Sequence, residues 1–267
     1  TKKILNFTLI IASERRIIIR FMRKSIVLIP SRMAATRLPN KPLLRINNKS
    51  LIMHVYQKAK LSNVGDVYVA TADDEIFNEV IKNGGKCLKT EKSHQTGTDR
   101  IFDAFKKLDI KNINYVINLQ GDEPLIDIKD IQNLNVKAIK NNSDMATLAC
   151  KIDDNQIFEN KNIVKVVTNK KIDNNTISSA IQFSRNIKKY DKKNIYHHIG
   201  IYIYKPSILK KFVQLQQTKD EKKEKLEQLR ALQNNIKIDV VFANSKPIGV
   251  DTKKDYIEIK KLMEYKK

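Results

Sequence analysis

The sequence contains no long apolar run and very little cysteine. No stretch of eighteen consecutive apolar residues occurs in its 267 residues, so no segment is long enough to span a membrane as a helix. The two cysteines, Cys87 and Cys150, lie far apart in short apolar runs typical of strands. We therefore expect buried free thiols rather than a disulfide or a metal site, which fits a reducing compartment such as the cytoplasm.

The sequence also lacks the usual signs of a nucleic-acid-binding module, although its charge is strongly positive. Lys and Arg number 51 and Asp and Glu 29, which gives a net charge of +22. The cations are spread along the chain among Asn and Ile, without clusters of cations and aromatic side chains that could stack on bases. We attribute the excess mainly to a compositional bias that also helps to attract polyanionic substrates. A nucleic-acid-binding protein is the alternative, and a steep salt dependence of binding would identify it.

Residues 1–21 differ from the rest of the chain. They contain a Lys-Lys pair, an apolar run from Ile4 to Ala12 and a Ser-Glu-Arg-Arg sequence, which is the outline of a signal peptide. The apolar run is short, however, and Met22 lies three residues before the first predicted strand. We interpret residues 1–21 as an upstream extension and residues 22–267 as one large domain. A membrane-targeting segment is the alternative for the extension.

The clearest ligand-binding pattern is the first strand with the loop that follows it. Residues 25–29 form a short β-branched run, typical of a strand buried on both faces. The next loop carries Arg32, Arg37 and Lys41 and is stiffened by prolines. Open α/β sheets bind ligands at the carboxyl ends of their strands, and Arg forks with a Lys charge suit a triphosphate. An ordinary polar loop with solvated charges is the alternative.

Farther along, short apolar strands alternate with helices, which predicts a parallel sheet with right-handed crossovers. Strands are predicted at 25–29, 67–70, 86–89, 115–119, 145–151, 164–168, 177–184, 195–204 and 237–242, with helices beginning near residues 51, 74, 98, 128, 220 and 253. Asn47-Asn48 is predicted to form a tight turn, Ser50 to cap the helix after it, and Thr252 to open the last helix with a capping box. The charged helix is predicted to run from 220 to 234, with 221–225 mostly a solvated face. Asp122 follows the strand at 115–119, where a carboxylate would face the ligand crevice and could hold Mg²⁺. A simple Gly-Asp turn is the alternative.

Five stretches of this sequence together form a specific signal. They are Ile-Pro-Ser-Arg-Met-Ala-Ala-Thr-Arg-Leu-Pro-Asn-Lys-Pro-Leu at 29–43, His-Gln-Thr-Gly-Thr-Asp-Arg at 94–100, Asn-Leu-Gln-Gly-Asp-Glu-Pro at 118–124, Leu-Glu-Gln-Leu-Arg at 226–230 and Gly-Val-Asp-Thr at 249–252. In this order they resemble the motifs of the CMP-Kdo synthetases (3-deoxy-manno-octulosonate cytidylyltransferases). The resemblance extends from about Met22 to the C-terminus.

The resemblance implies a fold and a reaction. The fold is an α/β, Rossmann-like nucleotide-diphospho-sugar transferase (GT-A-like) fold. It has a mixed, mostly parallel central sheet flanked by helices, and a smaller subdomain for sugar binding and dimerisation. The reaction joins CTP and 3-deoxy-D-manno-octulosonate (Kdo) to give CMP-Kdo and pyrophosphate for lipopolysaccharide biosynthesis. The implied enzyme is a cytoplasmic homodimer, with Mg²⁺ as its cofactor and no membrane insertion.

The resemblance also implies roles for individual residues. Catalysis is implied for Arg32, Arg37, Lys41 and Asp122. CTP binding is implied for Pro30, Arg32, Arg37, Lys41, Ala70, Thr71, Thr96, Gly97, Thr98 and Arg100. Sugar binding is implied for Gln95, Arg185, His198, Glu227 and Gln228, with Arg185 facing the sugar carboxylate. Mg²⁺ is implied to bind Asp122 and Asp251.

Some positions depart from the family pattern. Asn40 replaces a glycine, which the loop can tolerate because Asn accepts left-handed geometry. Ala72 stands where Asp is common, His197 replaces an arginine, and the connection from Arg185 to His198 is short. The last two changes lie by the sugar site, so a related acidic sugar such as an amino-Kdo or a nonulosonate is the alternative substrate. An inactive CTP-binding protein is disfavoured, because both Mg²⁺ carboxylates are present.

Overall fold

A nine-stranded mixed sheet forms the centre of the computed structural model of this chain. The structure describes residues 25–34, 37–154, 156–187 and 194–265. The interpretation of residues 1–21 as an extension therefore lies outside the described residues. In the described part, no helix is both long and apolar enough to cross a membrane.

The strands and helices mostly follow the predicted order. The strands are β1 Ser25–Pro30, β2 Arg45–Ile46, β3 Lys49–Ser50, β4 Gly65–Thr71, β5 Cys87–Lys89, β6 Tyr115–Asn118, β7 Met145–Cys150, β8 Lys165–Thr168, β9 Ser178–Ser184, β10 Ile195–Tyr204 and β11 Ile238–Phe242. The helices are α1 Leu51–Ser62, α2 Asp74–Lys82, α3 Gly97–Leu108, α4 Ile128–Lys140, α5 Gln156–Glu159, α6 Pro206–Gln214, α7 Lys219–Glu224, α8 Gln228–Gln233 and α9 Lys253–Glu264. A 3₁₀ turn occupies Lys41–Leu43.

The sheet has a parallel half and a half in which most neighbours are antiparallel. Its strand order is β5-β4-β1-β6-β10-β7-β11-β9-β8, and the first four strands run parallel. Strand β10 reverses the direction beside β6, while β7 and β11 form a further parallel pair. Strand β8 also pairs with the first residues of β10 and so closes a small ring of five strands. The predicted smaller subdomain for sugar binding and dimerisation stays a prediction.

Strand β1 is covered on both faces, as its apolar sequence predicted. Val27 and Ile29 belong to the core cluster beneath α1 and α4, whereas Ile26 and Leu28 belong to the cluster that includes residues of α3 and α6. All four side chains are fully buried. Because β1 is sandwiched between these layers, its carboxyl end and the loop after it have a rigid base.

Several local predictions are confirmed. Asn47 and Asn48 both have positive φ and form the tight turn between β2 and β3. Thr252 opens α9 with the predicted capping box. Thr96 also caps α3, by accepting a hydrogen bond from the backbone N–H of Asp99. Both cysteines are free thiols as predicted, but only Cys150 is buried, whereas Cys87 is partly exposed. Ser50 precedes α1 as predicted, but its side chain makes no capping hydrogen bond.

The segment after β10 differs from the prediction. Helix α6 was not predicted, and the single helix expected from 220 to 234 is two helices, α7 and α8. The chain turns at Lys225, whose φ of 56° is left-handed and cannot continue a helix. Glu221 is buried and paired with Arg230, so the expected solvated face at 221–225 is wrong at this residue. Leu226, Leu229 and Leu232 follow the turn at helical spacing, and the charged residues before it include no glycine or proline, which is why the sequence suggested one helix.

Candidate active site

A cavity of about 430 Å³ lies at the carboxyl ends of β1 and β6. This is the edge at which an open α/β sheet binds its ligands. The cavity is lined by Pro30, Ser31, Arg32, Ala34, Arg37, Leu38, Lys41, Pro42, His94, Gln95, Thr96, Gly97, Arg100, Gln120, Gly121, Asp122, Glu227 and Asp251. All five motifs meet here: three contribute several residues each, while the motifs at 226–230 and 249–252 contribute one residue each, Glu227 and Asp251.

The loop after β1 is tied to the end of β4. The backbone N–H of Ser31 donates to the carbonyl of Ala70 at 2.9 Å. The backbone N–H of Met33 donates to Oδ2 of Asp73 at 2.8 Å. Asp73 occupies the N-cap position of α2 but does not cap that helix with its side chain. Asn40 has a φ of 56°, so this loop uses the left-handed geometry that asparagine tolerates.

The cations of this loop pair with both predicted metal carboxylates. The Nζ atom of Lys41 lies 2.7 Å from Oδ2 of Asp122 and 3.4 Å from Oδ1 of Asp251. The guanidinium of Arg37 lies 3.2 Å from Oδ2 of Asp251. The backbone N–H of Val250 donates to the carbonyl of Asp122 at 2.9 Å, which holds the two acidic segments side by side. The predicted cations and carboxylates therefore form one charged cluster.

The two carboxylates fit Mg²⁺ bound together with a nucleotide. Both lie within 3.4 Å of the same Lys41 ammonium, so the contacting oxygens are no more than about 6 Å apart, the sum of the two contacts. Across the described residues, no group of three or more His, Cys, Asp or Glu is arranged to hold a metal ion. Mg²⁺ commonly binds one or two carboxylates plus substrate phosphates and water, rather than an all-protein cage. The donor set matches that mode.

Glu123 follows Asp122 in the chain and is partly buried, with its Oε2 atom shielded from solvent. Burial, followed by the charges of Asp122 and Asp251, raises the pKa of its carboxyl to about 8. The backbone N–H of Gly200 donates to this carboxyl, and among the described residues its Oε2 atom finds no hydrogen-bond partner. The raised pKa favours the protonated form at neutral pH, which limits the negative charge of the cluster to Asp122 and Asp251.

The N-terminus of α3 forms another wall of the cavity. Gly97 lies so close to β1 that a Cβ atom there would come within 3.3 Å of the Pro30 ring. Arg100 is buried, and its Nη1 donates to Oγ1 of Thr90 at 2.6 Å. Desolvation by burial lowers the pKa of this guanidinium. Free backbone N–H groups and a buried cation make this wall suitable for an anionic or polar ligand.

Two of the predicted sugar-binding residues, Gln95 and Glu227, line the cavity. Oε2 of Glu227 accepts a hydrogen bond from Oγ1 of Thr98 at 2.6 Å, which links the 226–230 motif to α3. Desolvation by burial raises the pKa of Glu227. Thr98 is buried and is not among the lining residues, so its predicted role in CTP binding stays a prediction.

The other predicted residues lie outside the cavity lining. The Arg185 guanidinium donates to the backbone carbonyls of Lys161, Asn162 and Glu224. His198 is buried between the rings of Phe183 and Tyr202, and burial lowers its pKa to about 3. Gln228, Ala70 and Thr71 are buried. The predicted roles of these five residues, Arg185, His198, Gln228, Ala70 and Thr71, stay predictions.

Several residues at or near the cavity were not predicted. His94 and Gln120 line the cavity, and they belong to the motifs at 94–100 and 118–124. The hydroxyl of Tyr202 is buried and has no hydrogen-bond partner within the described part of the chain. Asp73 supports the loop from 40 residues away, and such a contact leaves no local sequence signal.

Comparison with known proteins gives consistent results. A family model described as cytidylyltransferase matches residues 26–238. The curated 3-deoxy-manno-octulosonate cytidylyltransferases of Brucella anthropi and Brucella canis are each 40% identical over 233 residues. Those alignments cover 87% of this chain and 93% and 92% of the respective relatives.

Solved structures agree with this result. A structure of CMP:2-keto-3-deoxy-manno-octonic acid synthetase complexed with CTP superposes with a TM-score of 0.83 and 33% identity, covering 91% of this chain and 99% of that one. UDP-glucose pyrophosphorylase complexed with UDP-glucose superposes with a TM-score of 0.67 at 14% identity, covering 91% and 99%. The second likeness concerns the fold alone, and the two together confirm the predicted α/β fold.

Proposed function

This chain belongs to the cytidylyltransferase family, and we infer that it activates Kdo with CTP, giving CMP-Kdo and pyrophosphate. The observation that carries this inference is the charged cluster of Arg37, Lys41, Asp122 and Asp251 at the carboxyl end of the sheet. It combines cations for a triphosphate with carboxylates for its metal ion. The 40% identity to named Kdo cytidylyltransferases over most of the chain supports the choice of substrates.

The chain's own contribution to the reaction is positioning and charge neutralisation. The 2-hydroxyl of the sugar attacks the α-phosphate of CTP in line, and the bond to the pyrophosphate oxygen breaks as the new P–O bond forms. Arg32, Arg37 and Lys41 line the cavity together, where they would hold the triphosphate and stabilise the negative charge of the leaving pyrophosphate. The N-terminal wall of α3, with Thr96 and Gly97, would border the cytidine.

We propose that Asp122 and Asp251 hold Mg²⁺ when CTP binds. Bound there, the ion would neutralise phosphate charge and help to fix the reacting groups. Lys41 now pairs with both carboxylates, so it would transfer to the phosphates as the carboxylates take the metal. The cations and carboxylates of the cluster thus pair with each other before CTP binds. When CTP binds, the cations would pair with its phosphates and the carboxylates with Mg²⁺.

A comparison of carboxylate variants tests the metal proposal. Asp122→Asn and Asp251→Asn should each lower turnover strongly and weaken Mn²⁺ binding in the presence of CTP, as measured by electron paramagnetic resonance. Asp66→Asn is the matched control, because Asp66 pairs with Lys86 at the exposed opposite end of β4. Near-normal turnover and Mn²⁺ binding in both site variants would refute the metal assignment.

For the sugar, we propose that Gln95 and Glu227 contact its hydroxyl groups, since both line the cavity. Arg185 is proposed to face the sugar carboxylate, with His198 and Gln228 near it. A related acidic sugar, such as an amino-Kdo or a nonulosonate, is the alternative substrate. His197 and the short connection after Arg185 support that alternative, since the family pattern differs there.

We further propose a cytoplasmic homodimer that supplies CMP-Kdo to lipopolysaccharide biosynthesis. Ile181 on β9 supports the dimer, because this large apolar side chain is 59% exposed on the five-stranded ring, which we propose as the dimerisation subdomain. The free thiols are consistent with a reducing compartment. Sedimentation velocity of wild type and Ile181→Asp would test the dimer, which the charge should weaken.

The direct test of the activity is product identification. The chain, CTP, Kdo and Mg²⁺ should yield CMP-Kdo and pyrophosphate, detected by ³¹P NMR and mass spectrometry. Lys41→Met should give at least about tenfold less product at equal protein concentration, the equivalent of about 1.4 kcal/mol. Absence of CMP-Kdo with folded wild-type protein would refute the proposed function.

A further inference from the structure

Glu221 and Arg230 form a buried, two-pronged ion pair beside the cavity. Each side chain is 3% exposed. Nε of Arg230 donates to Oε2 of Glu221 at 2.8 Å, and Nη2 donates to Oε1. The guanidinium also stacks over the Phe212 ring, with its central carbon 4.8 Å from the ring centroid. Planar, fully paired geometry of this kind requires arginine rather than lysine.

The pair connects α7 to α8 across the left-handed turn at Lys225. Glu221 lies in the first turn of α7, where its Oε2 also accepts the backbone N–H of Thr218 at 3.2 Å in a capping box. Arg230 lies in α8. The Glu221 carboxylate therefore holds the start of α7 directly and α8 through Arg230. Both of its oxygens accept hydrogen bonds.

The turn held by this pair delivers Glu227 to the cavity. Glu227 occupies the N-cap position of α8, and its carbonyl accepts the backbone N–H of Arg230 at 3.0 Å. Its carboxylate lines the cavity and accepts the hydroxyl of Thr98. Burial raises the pKa of Glu227, while the Thr98 hydrogen bond and the Arg230 charge act in the opposite direction. Arg230 itself is not part of the cavity lining.

We propose that Arg230, through its pair with Glu221, is a positioning residue that holds the Glu227 carboxylate against the acidic sugar. The inference rests on the proposed function, because it takes Glu227 as a sugar contact. Arg230 then determines sugar affinity without touching either substrate. A purely structural ion pair would instead lower stability when broken and would affect both substrates alike.

A double-mutant cycle on saturation kinetics separates these two roles. Arg230→Met should raise KM for Kdo at least about tenfold at saturating CTP, while KM for CTP changes less than about twofold. In a Glu227→Gln background, Arg230→Met should add less than about twofold, because the positioned carboxylate is already gone. Arg230→Lys should be intermediate, since it keeps the charge but lacks the fork.

Controls keep the result interpretable. Lys205→Met removes an ion pair with Asp144 that lies away from the cavity lining, so it should leave both KM values unchanged. If Arg230→Met does not fold, Arg230→Lys and Glu221→Gln take its place in the same cycle with Glu227→Gln. Additive effects of Arg230→Met and Glu227→Gln, or equal rises in KM for Kdo and for CTP, would overturn the positioning role. Neither result would overturn the proposed function. A folded wild type without turnover of CTP and Kdo would overturn the proposed function and this inference with it.

Discussion

Lys41 is the residue around which the charges of the cavity are arranged. Its side chain is 17% exposed and contacts Asp122 and Asp251, while Arg37 shares the second carboxylate and is 60% exposed. A shielded ammonium between two carboxylates is preorganised, whereas an exposed guanidinium retains freedom to follow a ligand. Lys41 would therefore hold the two carboxylates together until CTP and the metal bind, and the exposed Arg37 would have more freedom to follow the phosphates.

Arg37 and Arg185 are expected to affect different substrates. Arg37→Ala should raise KM for CTP by about ten- to a hundredfold, because a charge-assisted hydrogen bond contributes about 1.5–3 kcal/mol. Arg185→Ala should raise KM for Kdo instead, if its guanidinium leaves the carbonyls of Lys161 and Asn162 for the sugar carboxylate. Saturation curves for each substrate measure both effects when chemistry is slower than substrate release.

The control for these variants is Arg45→Ala, which removes an exposed pair with Glu79 outside the cavity lining. A change confined to the CTP curve in Arg185→Ala would contradict its place by the sugar. A lower melting temperature with unchanged kinetics would show that Arg185 serves only to tie its backbone neighbours together.

His198 should make stability depend on acidic pH. Burial depresses its folded-state pKa from 6.5 to about 3, so the native state stays neutral while the unfolded state takes up a proton below pH 6.5. The unfolded state then binds more protons, so stability contributed by this group is complete above pH 6.5 and is lost as pH falls toward 3. The slope is at most about 1.4 kcal/mol per pH unit.

Urea unfolding of wild type and His198→Gln at pH 7, 6 and 5 measures this effect. Gln keeps an amide that can bond to the Thr147 hydroxyl, the present partner of the His198 ring. The variant should lose less stability than wild type between pH 7 and pH 5. Parallel losses in the two proteins would mean that His198 is protonated in the folded state as well.

Strands β1 and β4 pack so closely that one glycine is required between them. A Cβ atom at Gly65 would lie 1.8 Å from the carbonyl oxygen of Ser25, and this neighbour is backbone that cannot rotate away. The cations of the loop after β1 depend on this parallel pair, because the loop is tied to the end of β4. Close packing of β1 and β4 at their amino ends thus supports the site at their carboxyl ends.

Gly65→Ala is therefore expected to destabilise the fold by about 1–3 kcal/mol, the typical range for overpacking. Gly249→Ala is the matched control, because a Cβ atom there would have no neighbour within 4 Å and its φ is not in the left-handed range. Urea midpoints of the two variants measure the difference. Equal midpoints would mean that β1 and β4 separate without cost.

Elements with a local signal could be predicted from the sequence, and the others could not. The apolar run of β1, the Asn47–Asn48 turn and the Thr252 capping box each depend on adjacent residues, and all three are confirmed. The break at Lys225 depends on a buried partner for Arg230 at Glu221, across the turn. A charged sequence with regular leucines gives no sign of such a partner, so one exposed helix was expected.

At the scale of the whole molecule, the site is assembled from distant segments. Lys41 and Asp251 are separated by 210 positions, yet they meet in one cluster because α9 begins beside the end of β6. The order of the motifs allowed these residues to be predicted from the sequence, because each motif lies at the end of a strand or the start of a helix. Motif order could not show that Thr98 supports Glu227, nor that Arg185 and His198 lie outside the cavity lining, because those facts depend on side-chain packing.

The large positive charge fits this account without a nucleic-acid partner. Both substrates of the proposed reaction are anions, and a net charge of +22 would speed their encounter with the cavity. The effect should weaken as salt is added, because exposed charges are screened beyond roughly 8–10 Å at physiological ionic strength. Nucleic-acid binding would instead require a continuous surface stripe of cations with stacking aromatics.

The most direct test of CTP-dependent Kdo activation is pyrophosphate release from each of the four NTPs against Kdo, an amino-Kdo and a nonulosonate. We predict the highest kcat/KM for CTP with Kdo, and at least about tenfold lower values, or about 1.4 kcal/mol, for every other pair. Mass spectrometry should identify CMP-Kdo as the product. A preference for another nucleotide, or turnover of another acidic sugar while Kdo gives none, would contradict the account.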